Sequence, residues 1–85
     1  MFDIFLDIPA QKYLKKLDKK TTQRIVDSIA KLADDPIPHD SKRIMDETKK
    51  VFRKRVGRFR ILYRVDYENL VVVVIKIDLR EHAYN

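Results

Sequence analysis

The chain has no cysteine, one glycine and three prolines in 85 residues. Without cysteine there is neither a disulfide framework nor a thiolate zinc site, a composition that suits a reducing compartment such as the cytoplasm. Long apolar runs are lacking too, since none approaches the roughly 18–20 residues needed to cross a bilayer. The opening MFDIFLDIPA carries aspartates where a signal peptide carries lysine or arginine. A soluble, untargeted chain with no membrane partner is therefore expected. Internal repeats, low-complexity tracts and composition breaks are absent as well, which predicts a single domain over residues 1–85. A domain of this length buries only about 60–65% of its unfolded surface, so its core has to be economical.

What the sequence does have is charge. Hydrophobic residues make up 45% and charged residues 38%, a globular balance, and the formal net charge is +6. With a pI near 9.7, the surplus favours a polyanionic partner through counterion release, and nucleic acid or the ribosome is the default. A merely solvated basic surface is the alternative. The charge is concentrated: residues 49–64, KKVFRKRVGRFRILYR, hold eight lysines and arginines and no carboxylate.

Hydropathy places these residues on elements. Phe2, Ile4, Leu6 and Ile8 alternate, predicting an N-terminal strand with one buried face. Pro9 suits the first turn of a helix, and Ala10, Tyr13, Leu14 and Leu17 continue it at helical spacing. Lys12, Lys15, Lys16, Lys19 and Lys20 take its polar side and end. Asp18 is a suitable N-cap for a second helix to about Ala33, with Ile25, Val26, Ile29, Leu32 and Ala33 facing inward. Pro36 and Pro38 stop it. The two helices are expected to form an antiparallel hairpin on a sheet. Residues 36–48 read as a loop or a frayed connection.

From Val51 the period is two. Gly57-Arg58 fits a type II′ turn with glycine first, pairing Val56 with Phe59, Arg55 with Arg60, Lys54 with Ile61 and Arg53 with Leu62. Opposed residues share a face. Arg53, Arg55 and Arg60 thus stand on one side, and Phe52, Val56, Phe59, Ile61 and Tyr63 on the other. The next turn admits two registers. Pairing Asp66 with Leu70 places Val71, Val73, Ile75 and Ile77 on the core side and Lys76 and Asp78 beside the arginines. A four-residue loop would bury Lys76, which is costly, so the first register is expected. The side holding Leu62, Val72 and Val74 is then unusually apolar for solvent, which suits a surface covered by a partner or, equally, one packed against residues 36–48.

Guanidinium groups crowded on rigid strands repel one another unless an anion lies among them, and arginine grips phosphate through a planar fork. Arg80 extends this face, and Tyr84 lies close enough beyond the last strand to fold back over it. The plain alternative is a basic face splayed into water.

These residues carry a resemblance. The order strand, helix hairpin, meander, with KLDKKTTQRIVDSIAKLADDP, VFRKRVGRFRILYRV and VVVVIKIDLREHAY, resembles toxins of the RelE/ParE superfamily, and within it the ribonuclease branch similar to RelE. The resemblance implies an α+β fold, an N-terminal strand and an antiparallel helix hairpin packed on a small antiparallel sheet (β-α-α-β-β-β). It also implies a toxin of a type II toxin–antitoxin system that cleaves messenger RNA in the ribosomal A site, by attack of the ribose 2′-OH on the adjacent phosphate. A 2′,3′-cyclic phosphate would be left, and neither metal nor cofactor would be needed. The matching positions are Arg53, Arg55, Arg60, Arg80 and Tyr84. Tyr84 would serve as base or orienting group, and the arginines would supply the field that lowers its phenol pKa and cradles the phosphate.

Lys15, Lys16, Lys50, Lys54, Arg58 and Lys76 would contact RNA or the ribosome, contributing affinity rather than chemistry. The implied partners are the ribosome with its message and a RelB-like antitoxin that wraps the toxin. The chain departs from the family pattern in two respects. Lys54 stands where an apolar residue is usual, on the face expected to be core, and Arg53 and Arg55 replace lysines found in many relatives. His82 is a rival acid or base, whereas His39 in the proline-flanked loop reads as surface. A protein-binding inhibitor similar to ParE, which poisons DNA gyrase, and an inactive RNA- or antitoxin-binding module remain open alternatives on the same fold.

Overall fold

The structure, a computed structural model, describes residues 1–44 and 50–79. Eight elements follow in order. They are β1 (Asp3–Leu6), α1 (Ile8–Lys15), α2 (Lys19–Ala30), a 3₁₀ turn (Lys31–Ala33), β2 (Lys42–Ile44), β3 (Val51–Val56), β4 (Phe59–Asp66) and β5 (Val71–Leu79). The strands form one five-stranded sheet in the order β1-β5-β4-β3-β2. Among the described residues no helix is long and apolar enough to cross a membrane.

Local chemistry sets the helix boundaries. The Asp7 side chain accepts from the Ile8 amide and caps α1, with proline in its first turn. Asp18 caps α2 as expected, accepting from the Thr21 amide at 3.2 Å; the Thr21 side chain first, and then this amide, hold the Asp18 carboxyl below its ordinary pKa. Thr22 then ties α2 back to α1 by donating to the Leu14 carbonyl at 3.2 Å. Because α1 claims Ile8, that residue leaves the strand alternation and is 60% exposed, contrary to the sequence reading. Val26 is likewise exposed at the rim of the α2 stripe, while Ile25, Ile29 and Leu32 are buried.

The first hairpin has the predicted register residue for residue. Gly57 takes φ +59° and Arg58 does not take a positive φ, the combination a type II′ turn requires. Three features of the sheet differ from expectation. β1 runs parallel to β5, so the sheet is mixed rather than antiparallel. Residues 42–44, read as loop, form β2 against β3. The second hairpin pairs Asp66 with Val71, not Leu70, across a four-residue loop. Between Tyr63–Val74 and Leu62–Lys76 the ladder slips by one residue, leaving Ile75 as the extra residue of a β-bulge. This bulge changes which side chains face in. Val72, Val74 and Ile77 are buried, whereas Val71, Val73 and Ile75 are not. Val72 and Val74 therefore belong to the core and not to an apolar outer face.

One cluster forms that core: Ala10, Leu14, Ile25, Ile29 and Leu32 from the helical layer against Phe52, Val56, Ile61, Tyr63, Val72, Val74 and Ile77. Both helices thus cover one face of the sheet. Tyr63, fully buried in β4, stacks on Phe52 with centroids 5.8 Å apart. Its hydroxyl donates to the Pro36 carbonyl at 2.8 Å, pinning the proline-flanked loop to the sheet. Burial pushes the Tyr63 phenol above its ordinary 10.0, and Asp40 and Asp35 push the same way against a Ser41 hydrogen bond. The sign of the pH effect follows. Below pH 10 the phenol is neutral folded and unfolded, and its full contribution to stability is present. Above pH 10 the unfolded chain ionises first, so stability falls until the folded group also titrates. Thermal melts from pH 8 to 11 are expected to show a steeper alkaline loss for the wild-type chain than for Tyr63→Phe. Parallel curves would refute this.

Candidate functional site

Pairing registers determine what lies on the sheet face away from the helices. One cross-strand row reads Arg55–Arg60–Asp78, and the row beside it reads Lys42–Arg53–Leu62–Lys76. A third, toward the Tyr67 turn, reads Ile44–Val51–Arg64–Val73–Phe5. A last row, Asp66–Val71–Asp3, carries two carboxylates, so the face is strongly cationic near Gly57, largely apolar in the third row and acidic at its far end. Arg53, Arg55 and Arg60 come together as predicted, each only partly exposed. Strand positions give them a fixed origin that a loop would not.

Within this patch the best-defined interaction is a bidentate pair. Arg60 donates through Nε to Asp78 Oδ1 at 3.0 Å and through Nη2 to Oδ2 at 2.9 Å. The two side chains are 20% and 17% exposed. Lys76 stands 3.7 Å from the same carboxylate on its solvent side. β1 flanks β5 only as far as Val74, so Lys76 and Asp78 stand where β5 is a sheet edge. Tyr13, on α1, approaches this end from the core side, with its ring 6.4 Å from Phe59. Burial, and then the Asp78 charge, raise its phenol pKa while Arg58 lowers it. Tyr13 is thus a poor base, tuned away from ionisation.

The other predicted contacts are dispersed. Lys15 and Lys16 are exposed at the end of α1, Lys50 is exposed before β3, and Arg58 is exposed in the hairpin turn. Lys76 is exposed beside Asp78. Lys54 lies on the opposite face from the arginines, opposite Ile61. Its ammonium reaches both Asp40 oxygens at 3.3 Å, with the lysine side chain 12% exposed. The unusual lysine on the core face is therefore answered by the proline-flanked loop, which brings Asp40 to it. Arg80, His82 and Tyr84 lie outside the described residues.

Asp78, Arg64 and Lys42 belong to this face although no role was assigned to them from the sequence. Arg64 shares the parity of Arg60 and Leu62 and was legible on that ground. Lys42 needs β2, whose three residues carry no periodic signal. Among the described residues, no group of His, Asp or Glu could hold a metal ion.

Comparison with known proteins gives a consistent picture. A Methanocaldococcus jannaschii protein bearing the toxin name RelE1 is 31% identical over 98% of this chain and 94% of its own length. The toxin–antitoxin complex RelBE2 of Mycobacterium tuberculosis contains a chain 28% identical. That match covers 93% of this chain and 98% of the other, with a TM-score of 0.81. The archaeal RelE–RelB complex of Pyrococcus horikoshii contains one with a TM-score of 0.82 at 22% identity, covering 93% and 94% of the two chains. The family model for the ParE toxin of type II toxin–antitoxin systems matches residues 4–84. This chain therefore belongs to the RelE/ParE family of type II toxin–antitoxin toxins.

Proposed function

We propose that this toxin is a ribosome-dependent endoribonuclease that cuts messenger RNA in the A site. The observation that carries the reading is the Arg55–Arg60 row with Arg53 beside it, a rigid guanidinium platform on the face away from the core. A phosphorane formed during cleavage concentrates negative charge at one phosphate, and preorganised guanidinium groups stabilise it without reorganisation. In the reaction the 2′-oxygen attacks phosphorus while its proton passes to a base. The bond from phosphorus to the 5′-oxygen breaks, and that oxygen takes up a proton. The products are a 2′,3′-cyclic phosphate and a 5′-hydroxyl.

Tyr84 is assigned as base or orienting group and Arg80 to electrostatics, both on family resemblance. Arginine is a poor proton donor because its pKa exceeds about 12. The partner that silences the toxin is an acidic, amphipathic antitoxin of the RelB type, in keeping with the complexes formed by its structural neighbours. The matching ParE model favours one second reading, a protein inhibitor of DNA gyrase on the same fold.

Primer extension on a defined message in a translating extract separates the two. Cuts within A-site codons are expected, absent from naked message and lost in Tyr84→Phe and Arg80→Ala. Absence of cuts, with gyrase supercoiling inhibited, would overturn the nuclease reading in favour of the second.

A further inference from the structure

The Arg55–Arg60–Asp78 and Lys42–Arg53–Leu62–Lys76 rows hold five cations and, among the described residues, a single carboxylate. That carboxylate is engaged side-on by Arg60, through Nε at 3.0 Å and Nη2 at 2.9 Å. A unit negative charge here weakens the pull of the patch on any polyanion. It also fixes a guanidinium plane, because a fork held at two points cannot rotate about its last torsions as one held at a single point can.

We propose that Asp78 is a positioning residue for Arg60. It grips the guanidinium through Nε and Nη2 and thereby fixes the plane and position in which Arg60 meets the phosphate at which the chain is cut. The proposal rests on the nuclease reading and extends it. Backbone pairing supports it, since Arg60 and Asp78 are directly opposed across β4 and β5. So does burial, since both side chains are more than three-quarters covered. Lys76 does not substitute for Arg60 in this contact. It is 56% exposed, lies at 3.7 Å and offers a point charge without a plane.

The test exploits opposite signs. Asp78→Asn raises the net charge of the patch by one while loosening the two-point grip, and Asp78→Glu keeps the charge. Three quantities are measured. They are the salt dependence of affinity for a short 2′-O-methyl RNA that cannot be cut, the single-turnover cleavage rate on saturating ribosome–message complexes, and the melting temperature. For Asp78→Asn, affinity is expected to hold or rise, with a slope in log salt steeper by about 0.7. Cleavage at saturation is expected to fall about 10–100-fold, with recovery of part of it in Asp78→Glu. A purely structural role would lower affinity, rate and melting temperature together, and a carboxylate that merely opposes RNA would raise the rate. Either result overturns the proposal.

If the wild-type chain cuts no message, the nuclease reading fails by itself. The Arg60 Nε–H resonance then decides the positioning role toward phosphate. A slowly exchanging signal that shifts with the 2′-O-methyl RNA in the wild-type chain, and is lost in Asp78→Asn, sustains it. An unchanged signal in the variant refutes it.

Discussion

Tyr63→Ala is expected to remove about 3–5 kcal/mol from the free energy of unfolding, measured by urea denaturation at neutral pH. The ring is fully buried, stacked on Phe52, and sits at the centre of the cluster joining the helical layer to the sheet. Truncation opens a cavity that strand neighbours, fixed by their ladders, cannot close. It also frees the loop that the phenol holds through the Pro36 carbonyl. The same loop carries Asp40, the partner of Lys54, so that ion pair loosens in turn. Domains of this kind have roughly 5–15 kcal/mol in hand, so the variant lies near the folding threshold. Tyr63→Phe keeps the ring and loses one hydrogen bond, for about 1 kcal/mol. Leu62→Ala, one residue away on the outer face and only partly buried, is expected to cost less than half as much as Tyr63→Ala. Equal losses at 62 and 63 would mean that the outer face is as tightly covered as the core.

The contrast between residues 62 and 63 also shows where sequence patterning carries information. In VFRKRV and FRILYR the arginines fall on one parity, Arg53 and Arg55 opposite Leu62 and Arg60, and Phe52, Val56, Phe59, Ile61 and Tyr63 on the other, so a one-residue slip buries arginines and the register is legible. Residues 71–75, VVVVI, are all apolar and β-branched, and any register there buries an acceptable side chain. Only Lys76 and Asp78 carry parity information on β5. They correctly predicted the outward side of the strand's second half and misassigned its first. Without a bulge, a four-residue loop buries Lys76. The molecule uses that loop and keeps Lys76 outside by placing the bulge at Ile75. β2 and the parallel pairing of β1 were illegible for a different reason. Three residues have no period, and strand partners distant in sequence leave no local mark. Among the site residues, the arginine face followed from hairpin geometry alone. The Arg60–Asp78 pair did not, because it depends on the bulge.

On the proposed nuclease reading, Arg60→Ala is expected to lower ribosome-dependent cleavage by about 10²–10³-fold, the usual loss when one preorganised donor to a developing oxyanion is removed. The fall should be in the rate at saturation, because Arg53, Arg55, Lys42 and Lys76 remain to hold the RNA. Stability should fall as well, by about 1–3 kcal/mol, since Asp78 is 17% exposed and loses both hydrogen bonds, with only Lys76 left nearby at 3.7 Å. Arg53→Ala, opposite apolar Leu62 in the neighbouring row, should act mainly on affinity and on salt dependence. A double-mutant cycle then tests whether Asp78 works through Arg60. If it does, Asp78→Asn slows the wild-type chain but adds nothing to Arg60→Ala, and the coupling energy equals the whole effect of the single Asp78 substitution. Additive losses would give Asp78 an action of its own on the RNA. Such a result would separate the carboxylate from the guanidinium it touches, despite the two hydrogen bonds between them.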